Sequence, residues 1–291
     1  MSHTNQEVGE YRLRIGTTIL GIRTLPRLYE TLLSEYFGRY CVRELAEFHL
    51  TIHIDSGDSA GRIPNSLYYD KEVTQKGFTF ANRLIRGRRL PGDVGVELRV
   101  SRRLLCGRSI RIFEHLLHQA FYSANRIKDH DSFLVHSAGV VHEKSGYLFV
   151  GASRTGKTTV AKLSTNDRVL NDEICMVKLR GKSVRLHDTP FNGFFRGKVQ
   201  GQAPLRAIFM LHPRAAHRIR PLGRSEAVSG LFQQIVPPVG LDELVGRRAY
   251  EQMLDAAGRL LERVPAYKLE FKQNNGFWRQ IDRIMQKGDH S

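Results

Sequence analysis

The sequence predicts an α/β protein preceded by a smaller α+β module. Residues 133–141 and 147–150 are apolar, β-prone runs joined by a short turn, and strands joined in this way pair antiparallel. The second run leads into a glycine-rich loop and then into a helical pattern, which is the order of a strand–loop–helix unit. An antiparallel pair beside such a unit is unusual, because most proteins reach this kind of loop from a parallel sheet.

The N-terminal module alternates strand and helix patterns. After a polar tail through Glu10, residues 11–15, 17–22 and 48–54 are predicted strands, and residues 28–37 carry apolar side chains at helical spacing. Residues 55–66 form a predicted surface loop, and short strands joined by glycine-containing turns follow over residues 71–100.

A long amphipathic helix closes the module. Apolar side chains form one stripe from about residue 109 to residue 126. We place a domain boundary after it, which predicts an N-terminal module at 1–128 and a second domain at 129–291. The C-terminal part of that domain is predicted to hold amphipathic helices, a strand at 264–271 and a last helix that opens at Phe277.

Composition indicates a soluble enzyme with a basic surface. The chain has 45 Lys and Arg against 29 Asp and Glu, a formal net charge of +16. Such a surface attracts acidic partners before any specific contact forms. No recognition helix, metal finger or aromatic-studded RNA motif accompanies the charge, so we expect an acidic protein or peptide rather than nucleic acid. From Arg196 to Arg224 there are seven basic residues and no acid; the alternatives are a solvated face and a docking surface.

The cysteines and the hydropathy pattern indicate a cytoplasmic protein. Cys41, Cys106 and Cys175 are far apart, odd in number and without metal-binding spacing, which favours reduced thiols. The N-terminus has no apolar signal segment, and no run approaches the length of a membrane span. Oligomeric state is left open, including a homo-oligomer.

The glycine-rich loop matches the pattern G-x-x-x-x-G-K-[ST] at every fixed position. Its predicted nucleotide-binding residues are Gly151, Ala152, Ser153, Arg154, Thr155, Gly156, Lys157, Thr158 and Thr159. This pattern, between a strand and a helix, is typical of a P-loop, in which backbone N–H groups point at phosphate. The alternative is a glycine-rich turn that binds nothing. The context favours binding of a nucleoside triphosphate.

Two of these side chains have distinct predicted tasks. Lys157 supplies a compact positive charge for the outer phosphates, and Thr158 offers a hydroxyl to Mg²⁺. The predicted cofactors are ATP and Mg²⁺, with the choice between ATP and GTP left open.

Two adjacent acids follow the loop's helix. Asp172 and Glu173 end or interrupt the strand pattern of residues 168–177, only 14 and 15 residues beyond Thr158. A carboxylate there can hold Mg²⁺, directly or through water, or accept a proton from a hydroxyl nucleophile.

These residues resemble a known family. His136-Ser-Ala-Gly, the loop through Thr159 and Leu170-Asn-Asp-Glu are similar to the catalytic core of HPr kinase/phosphorylase, and more loosely to phosphoenolpyruvate carboxykinase. The nearest resemblance is to HPr-kinase-related proteins of peptide-modification systems, and it runs from about Phe133 to Leu211. It implies a P-loop core with a mixed sheet, a histidine at the position of His136 near the phosphates, and a two-acid motif that supplies the proton acceptor.

The chain departs from that family at two places. HPr kinases carry two aspartates where this chain has Asp172 and Glu173. Either acid could be the base, and we favour Asp172 with Glu173 as its partner. The family's later magnesium-binding glutamate, just before an Arg-Gly pair, is replaced by Phe195. This departure puts phosphorylase activity in doubt.

The predicted function is ATP- and Mg²⁺-dependent phosphoryl transfer to a hydroxyl, most specifically a serine of a protein or peptide. The predicted catalytic residues are His136, Lys157, Asp172 and Glu173, and the predicted metal ligands are Thr158 and Asp172. A lone histidine on a strand is more often structural, and only the resemblance and the adjacent loop favour a functional His136. The competing class is a nucleotide-binding regulatory protein with weak or no kinase activity.

Overall fold

The computed structural model describes residues 10–25, 28–55, 71–80, 84–105, 110–128, 131–191 and 193–288. The predicted tail before Glu10, most of the predicted loop at 55–66, and Cys106 lie outside these residues. The described strands are β1 Tyr11–Ile15, β2 Thr18–Leu25, β3 Phe48–Asp55, β4 Lys71–Thr74, β5 Gly77–Phe80, β6 Ile85–Arg89, β7 Gly95–Ser101, β8 Ser132–His142, β9 Ser145–Val150, β10 Arg168–Asn171, β11 Ile174–Arg180, β12 Ser183–His187, β13 Gln202–Pro213, β14 Arg218–Pro221 and β15 Ala266–Phe271. The described α-helices are α1 Leu28–Phe37, α2 Ile110–Lys128, α3 Lys157–Leu163, α4 Arg224–Phe232, α5 Arg247–Leu261 and α6 Phe277–Gly288.

The chain divides into two compact units. The first contains residues 1–130 and 238–249, and the second contains residues 131–237 and 250–291. The predicted domain boundaries, 1–128 and 129–291, stay a prediction.

The first unit contains a seven-stranded mixed sheet in the order β1-β2-β3-β7-β6-β5-β4. β3 runs parallel to both of its neighbours, and the other described pairs are antiparallel. The predicted stripe of α2 is confirmed, since its apolar residues are buried: Ile110, Phe113, Leu116, Leu117, Ala120, Phe121 and Ala124. The α+β character predicted for this part of the chain is therefore present.

The second unit contains an eight-stranded mixed sheet that bends back on itself. The long strands β8 and β13 each take part in two sets of pairings, and β9 lies between them, antiparallel to β8 and parallel to β13. β11 pairs antiparallel with both β8 and β12, and β12 pairs antiparallel with β13. The antiparallel pair predicted immediately before the glycine loop is thus confirmed.

β10 and β11 run along the same edge of β8 as one strand with an interruption. Asn171 is opposite Gly139, and Ile174 is opposite His136, so two residues separate the paired parts of the edge, and the register also shifts once within β10, between Val169 and Asn171. The interruption consists of Asp172 and Glu173. Irregularities of this kind re-aim side chains next to functional sites.

β9 is buried on both faces, and the glycine loop begins directly after it. Leu148 and Val150 belong to the apolar cluster shared with α4 and α5, while Tyr147 and Phe149 belong to the cluster shared with α3 and α6. A strand covered on both sides reads as a continuous apolar run rather than an alternating one. No described helix is both long and apolar enough to span a membrane.

Candidate active site

The glycine loop connects the end of β9 to the start of α3 through two left-handed residues. Gly156 has φ 104°, and Arg154 has φ 67°. A Cβ at Gly156 would lie 2.6 Å from Cζ of Phe271, so both the conformation and the space require glycine. At Gly151, a Cβ would lie 2.5 Å from Oγ1 of Thr155. The loop therefore turns as tightly as the sequence pattern implies.

Side chains of the loop divide into an inner and an outer group. Thr155 Oγ1 donates a hydrogen bond to the carbonyl oxygen of Ala152 (2.8 Å) and closes the loop from inside. Ala152, Ser153 and Arg154 are exposed, and Thr159 is half-buried in the first turn of α3. The exposed residues form the outer rim of the loop.

Lys157 folds back over the loop and is almost completely buried. Its Nζ donates hydrogen bonds to the carbonyl oxygens of Gly151 (2.6 Å) and Ala152 (3.1 Å). Burial lowers the pKa of Lys157, and the nearby charges of Glu173 and Asp172 partly offset this effect. The lysine thus lies within electrostatic reach of both acids.

Asn171 holds the backbone of the two acids in place. Its Oδ1 accepts hydrogen bonds from the backbone N–H groups of Asp172 (2.8 Å) and Glu173 (2.9 Å). Its Nδ2 donates to the carbonyl oxygens of Thr189 (3.0 Å) and Phe191 (2.9 Å). This buried amide therefore joins the acid pair to the segment that follows β12.

Asp172 is 1% exposed, and one of its carboxylate oxygens is heavily coordinated. Oδ2 accepts hydrogen bonds from the Thr158 hydroxyl (2.8 Å) and from the backbone N–H groups of Phe194 (3.1 Å) and Phe195 (3.1 Å). Oδ1 is buried and has no hydrogen-bond partner among the described residues. Protein donors therefore fix Oδ2, whereas Oδ1 has no described hydrogen-bond donor.

Glu173 lies on the more open side of the interruption. Its Oε1 is 3.2 Å from Nε2 of His136, and the two side chains are 27% and 43% exposed. The backbone of His136 is held by a hydrogen bond from its N–H to the carbonyl oxygen of Gln234 (2.7 Å). Strand β8 thus presents the histidine directly beside the second acid.

The structure brings the predicted residues into one site of the second unit. Hydrogen bonds or charge contacts connect Lys157, Thr158, Asp172, Glu173 and His136, although these lie up to 37 positions apart along the chain. Their catalytic and binding roles stay predictions.

Sequence reasoning missed the contribution of Asn171 and of the backbone at residues 193–195. Asn171 belongs to the four-residue motif that carried the resemblance, so it could have been found there. The backbone donors at 194 and 195 have no sequence signal.

The basic segment from Arg196 to Arg224 is dispersed by the fold. Lys198 is buried and donates to the carbonyl oxygen of Phe191 (3.1 Å), and Arg206 donates to the carbonyl oxygen of Met285 (3.1 Å). Arg220 forms an ion pair with Glu226, and Arg224 forms one with Glu262; both acids lie outside residues 196–224. Arg196, Arg214 and Arg218 are exposed.

Residues 109–286, more than half of the chain, match the family model described as ScmC, SynChlorMet cassette protein ScmC. One similar solved structure is that of the Hpr(Ser) kinase/phosphatase from Coxiella burnetii. It is 11% identical, and the match covers 54% of this chain and 99% of that chain with a TM-score of 0.30. No curated protein matches the chain.

Proposed function

The chain belongs to the family described as SynChlorMet cassette protein ScmC, and we propose that it transfers the γ-phosphoryl group of ATP, in the presence of Mg²⁺, to a hydroxyl. The acceptor proposed is a serine of a protein or peptide. The P-loop core with the mixed sheet of HPr kinase and phosphoenolpyruvate carboxykinase is part of the same proposal.

The hydrogen bond between Thr158 and Asp172 carries the proposal. It joins the glycine loop to the acid pair, so the phosphate-binding and acidic elements form one site rather than two separate features. Phosphoryl transfer depends mainly on positioning and on charge stabilisation, and it needs these two elements side by side.

The residues present fit a magnesium ion. The Thr158 hydroxyl donates a hydrogen bond to Asp172 Oδ2, which leaves its oxygen lone pairs available to a cation. Asp172 Oδ1 is buried and has no described hydrogen-bond partner, and a buried charge without a partner is costly. Mg²⁺ favours one or two carboxylates together with phosphate oxygens and water. Bound there by Thr158 and Asp172, it would supply positive charge against the phosphates.

Lys157 has the task of binding the outer phosphates. Its Nζ now satisfies two carbonyl oxygens of the loop, and a nucleotide would replace those oxygens as its partners. The exchange costs little side-chain entropy, because the buried lysine is already held above the loop.

Glu173 is the better general base of the two acids. A base must come within hydrogen-bond reach of the acceptor hydroxyl, and Glu173 is 27% exposed whereas Asp172 is 1% exposed and held by three donors. His136 beside it would orient the carboxylate. This assignment reverses the preference drawn from the sequence, which favoured Asp172.

A nucleotide-binding regulatory protein is the second candidate. Phe195 stands at the position where the resembling kinases carry a glutamate, and its backbone N–H binds Asp172 Oδ2. A site with one carboxylate fewer for the metal could bind nucleotide without efficient transfer.

Binding is tested with Lys157→Ala. We expect Mg²⁺-dependent ATP binding by the wild-type protein and its loss in this variant, measured by isothermal titration calorimetry. Lys162→Ala is the matched control, since Lys162 is exposed in the last turn of the same helix. Equal ATP affinity in wild type and Lys157→Ala would remove the loop from the proposed function.

A further inference from the structure

The segment after β12 is tied to the acid pair at several points. Lys198 Nζ and Asn171 Nδ2 both donate to the carbonyl oxygen of Phe191. The N–H of Val199 donates to the carbonyl oxygen of Val169 in β10 (2.8 Å). Backbone groups held on both sides in this way cannot shift far without breaking buried hydrogen bonds.

Gly193 lies buried against the carboxylate of Asp172. A Cβ at residue 193 would lie 2.1 Å from Oδ1, 2.5 Å from Cγ and 2.8 Å from Oδ2. Space for the carboxylate therefore requires glycine here.

Hydrogen bonds hold the carboxylate of Asp172 in its position. Its Oδ2 is held by the Thr158 hydroxyl and two backbone N–H groups, and its backbone is held by Asn171. A side chain at residue 193 must therefore push the carboxylate off these donors or push the 194–195 backbone away. Either movement weakens the hydrogen bonds that set the orientation of the carboxylate, and with it the position of Oδ1, the oxygen without a described partner.

We infer that Gly193 is a positioning residue that acts through Asp172. Because residue 193 has no side chain, Asp172 Oδ1 can occupy its observed position. The backbone N–H groups of the next two residues fix the rotation of the carboxylate. The part of this inference that concerns a cation rests on the proposed function. The mechanical coupling between residues 193 and 172 does not.

The coupling is tested by a double-mutant cycle on thermal unfolding with Gly193→Ala, Asp172→Ala and the double variant. We expect Gly193→Ala to lower the unfolding midpoint, and to cost little once Asp172→Ala has removed the carboxylate. Gly258→Ala is the matched control, because an added Cβ there meets nothing within 4 Å. If Gly193→Ala alone does not fold, the double variant is still expected to fold. An equal loss in both backgrounds, or no loss in either, would overturn the inference.

The cation is tested separately with Mn²⁺ as a probe, titrated into the ATP-bound protein and followed by electron paramagnetic resonance. Mutation of a residue that orients a metal ligand commonly costs ~10–100-fold in metal affinity. We expect a loss of this size in Gly193→Ala but not in Gly258→Ala. Unchanged Mn²⁺ affinity in Gly193→Ala would refute the positioning role. Failure of the wild-type protein to bind ATP and Mn²⁺ would count against the proposed function, while the unfolding cycle would still decide the coupling.

Discussion

At the scale of single residues, the two adjacent acids occupy different environments. Asp172 points into the protein, where Thr158 and two backbone N–H groups coordinate it, and Glu173 points outward beside His136. The side chains of these two successive residues leave the backbone in different directions. Two acids that are equivalent in the sequence are therefore suited to different tasks.

Replacing each acid by its amide should separate those tasks. In Glu173→Gln we expect phosphoryl transfer to fall by roughly 10²–10⁴, the usual contribution of a general base, while ATP and Mn²⁺ affinities stay within a few-fold of wild type. In Asp172→Asn the Mn²⁺ affinity should fall as well. Single-turnover transfer rates and metal titrations on both variants measure this, and the reverse pattern would assign the base to Asp172.

The sequence could predict the loop residues but not all of their partners. A motif with fixed spacing drew attention to Lys157 and Thr158, because the residues of such a motif lie close together in the sequence. The hydrogen bonds of Asp172 come from Phe194 and Phe195, more than 20 positions away. Such contacts leave no local pattern, so the importance of Gly193 could only emerge from the fold.

At the scale of elements, a charged cluster fastens the last helix to the sheet of the second unit. His142 ends β8, and its two ring nitrogens lie 2.7 Å from Asp167, in the turn after α3, and 3.1 Å from Asp282 of α6. Its ring stacks on Trp278 at 4.4 Å between centroids. Trp278 in turn donates to Ser164 Oγ (3.2 Å). These contacts hold α6 against the face on which α3 packs.

Stability of this cluster should depend on pH. Burial lowers the pKa of His142, but the hydrogen bonds and charges of Asp167 and Asp282 outweigh it, so the pKa is raised overall. A raised histidine pKa gives stability that is fully present below the unfolded value of about 6.5 and is lost as pH rises through the folded value.

We therefore expect wild-type protein to be more stable than His142→Gln at pH 6, with the difference shrinking toward pH 9. Thermal unfolding followed by tryptophan fluorescence measures this, because Trp278 is the only tryptophan of the chain and lies in the cluster. A difference that stays constant over this range would show that His142 stabilises α6 through packing alone.

Strands were predictable where the pairing partners lie close together in the sequence. The β8–β9 hairpin follows from a short turn between apolar runs, and the adjacent acids at 172 and 173 indicated that a strand either ends or is interrupted there. β12, β13 and β14 were not predicted as strands. β13 contains Pro204 and is shared between two sets of pairings, and its extended shape depends on partners from distant parts of the chain.

At the scale of the whole molecule, the sequence carries a formal net charge of +16. The run from Arg196 to Arg224 is partly buried and partly paired with acids, so it is not one uniform basic patch. Long-range attraction of an acidic acceptor does not require such a patch, because charges across the whole surface sum. Residues 238–249 belong to the first unit. The sequence has no linker signature that would predict this.

An assay with radiolabelled γ-phosphate decides whether the protein transfers a phosphoryl group from Mg²⁺·ATP to a serine hydroxyl. The acceptors are serine peptides of matched length, one set acidic and one set basic. We predict phosphoserine on the acidic peptides with wild-type protein, an apparent KM that rises as salt exceeds ~0.1 M, where the Debye length is about 10 Å, and no label with Lys157→Ala. Wild-type protein that binds ATP yet labels no peptide in either set would contradict the proposed function and favour the regulatory alternative.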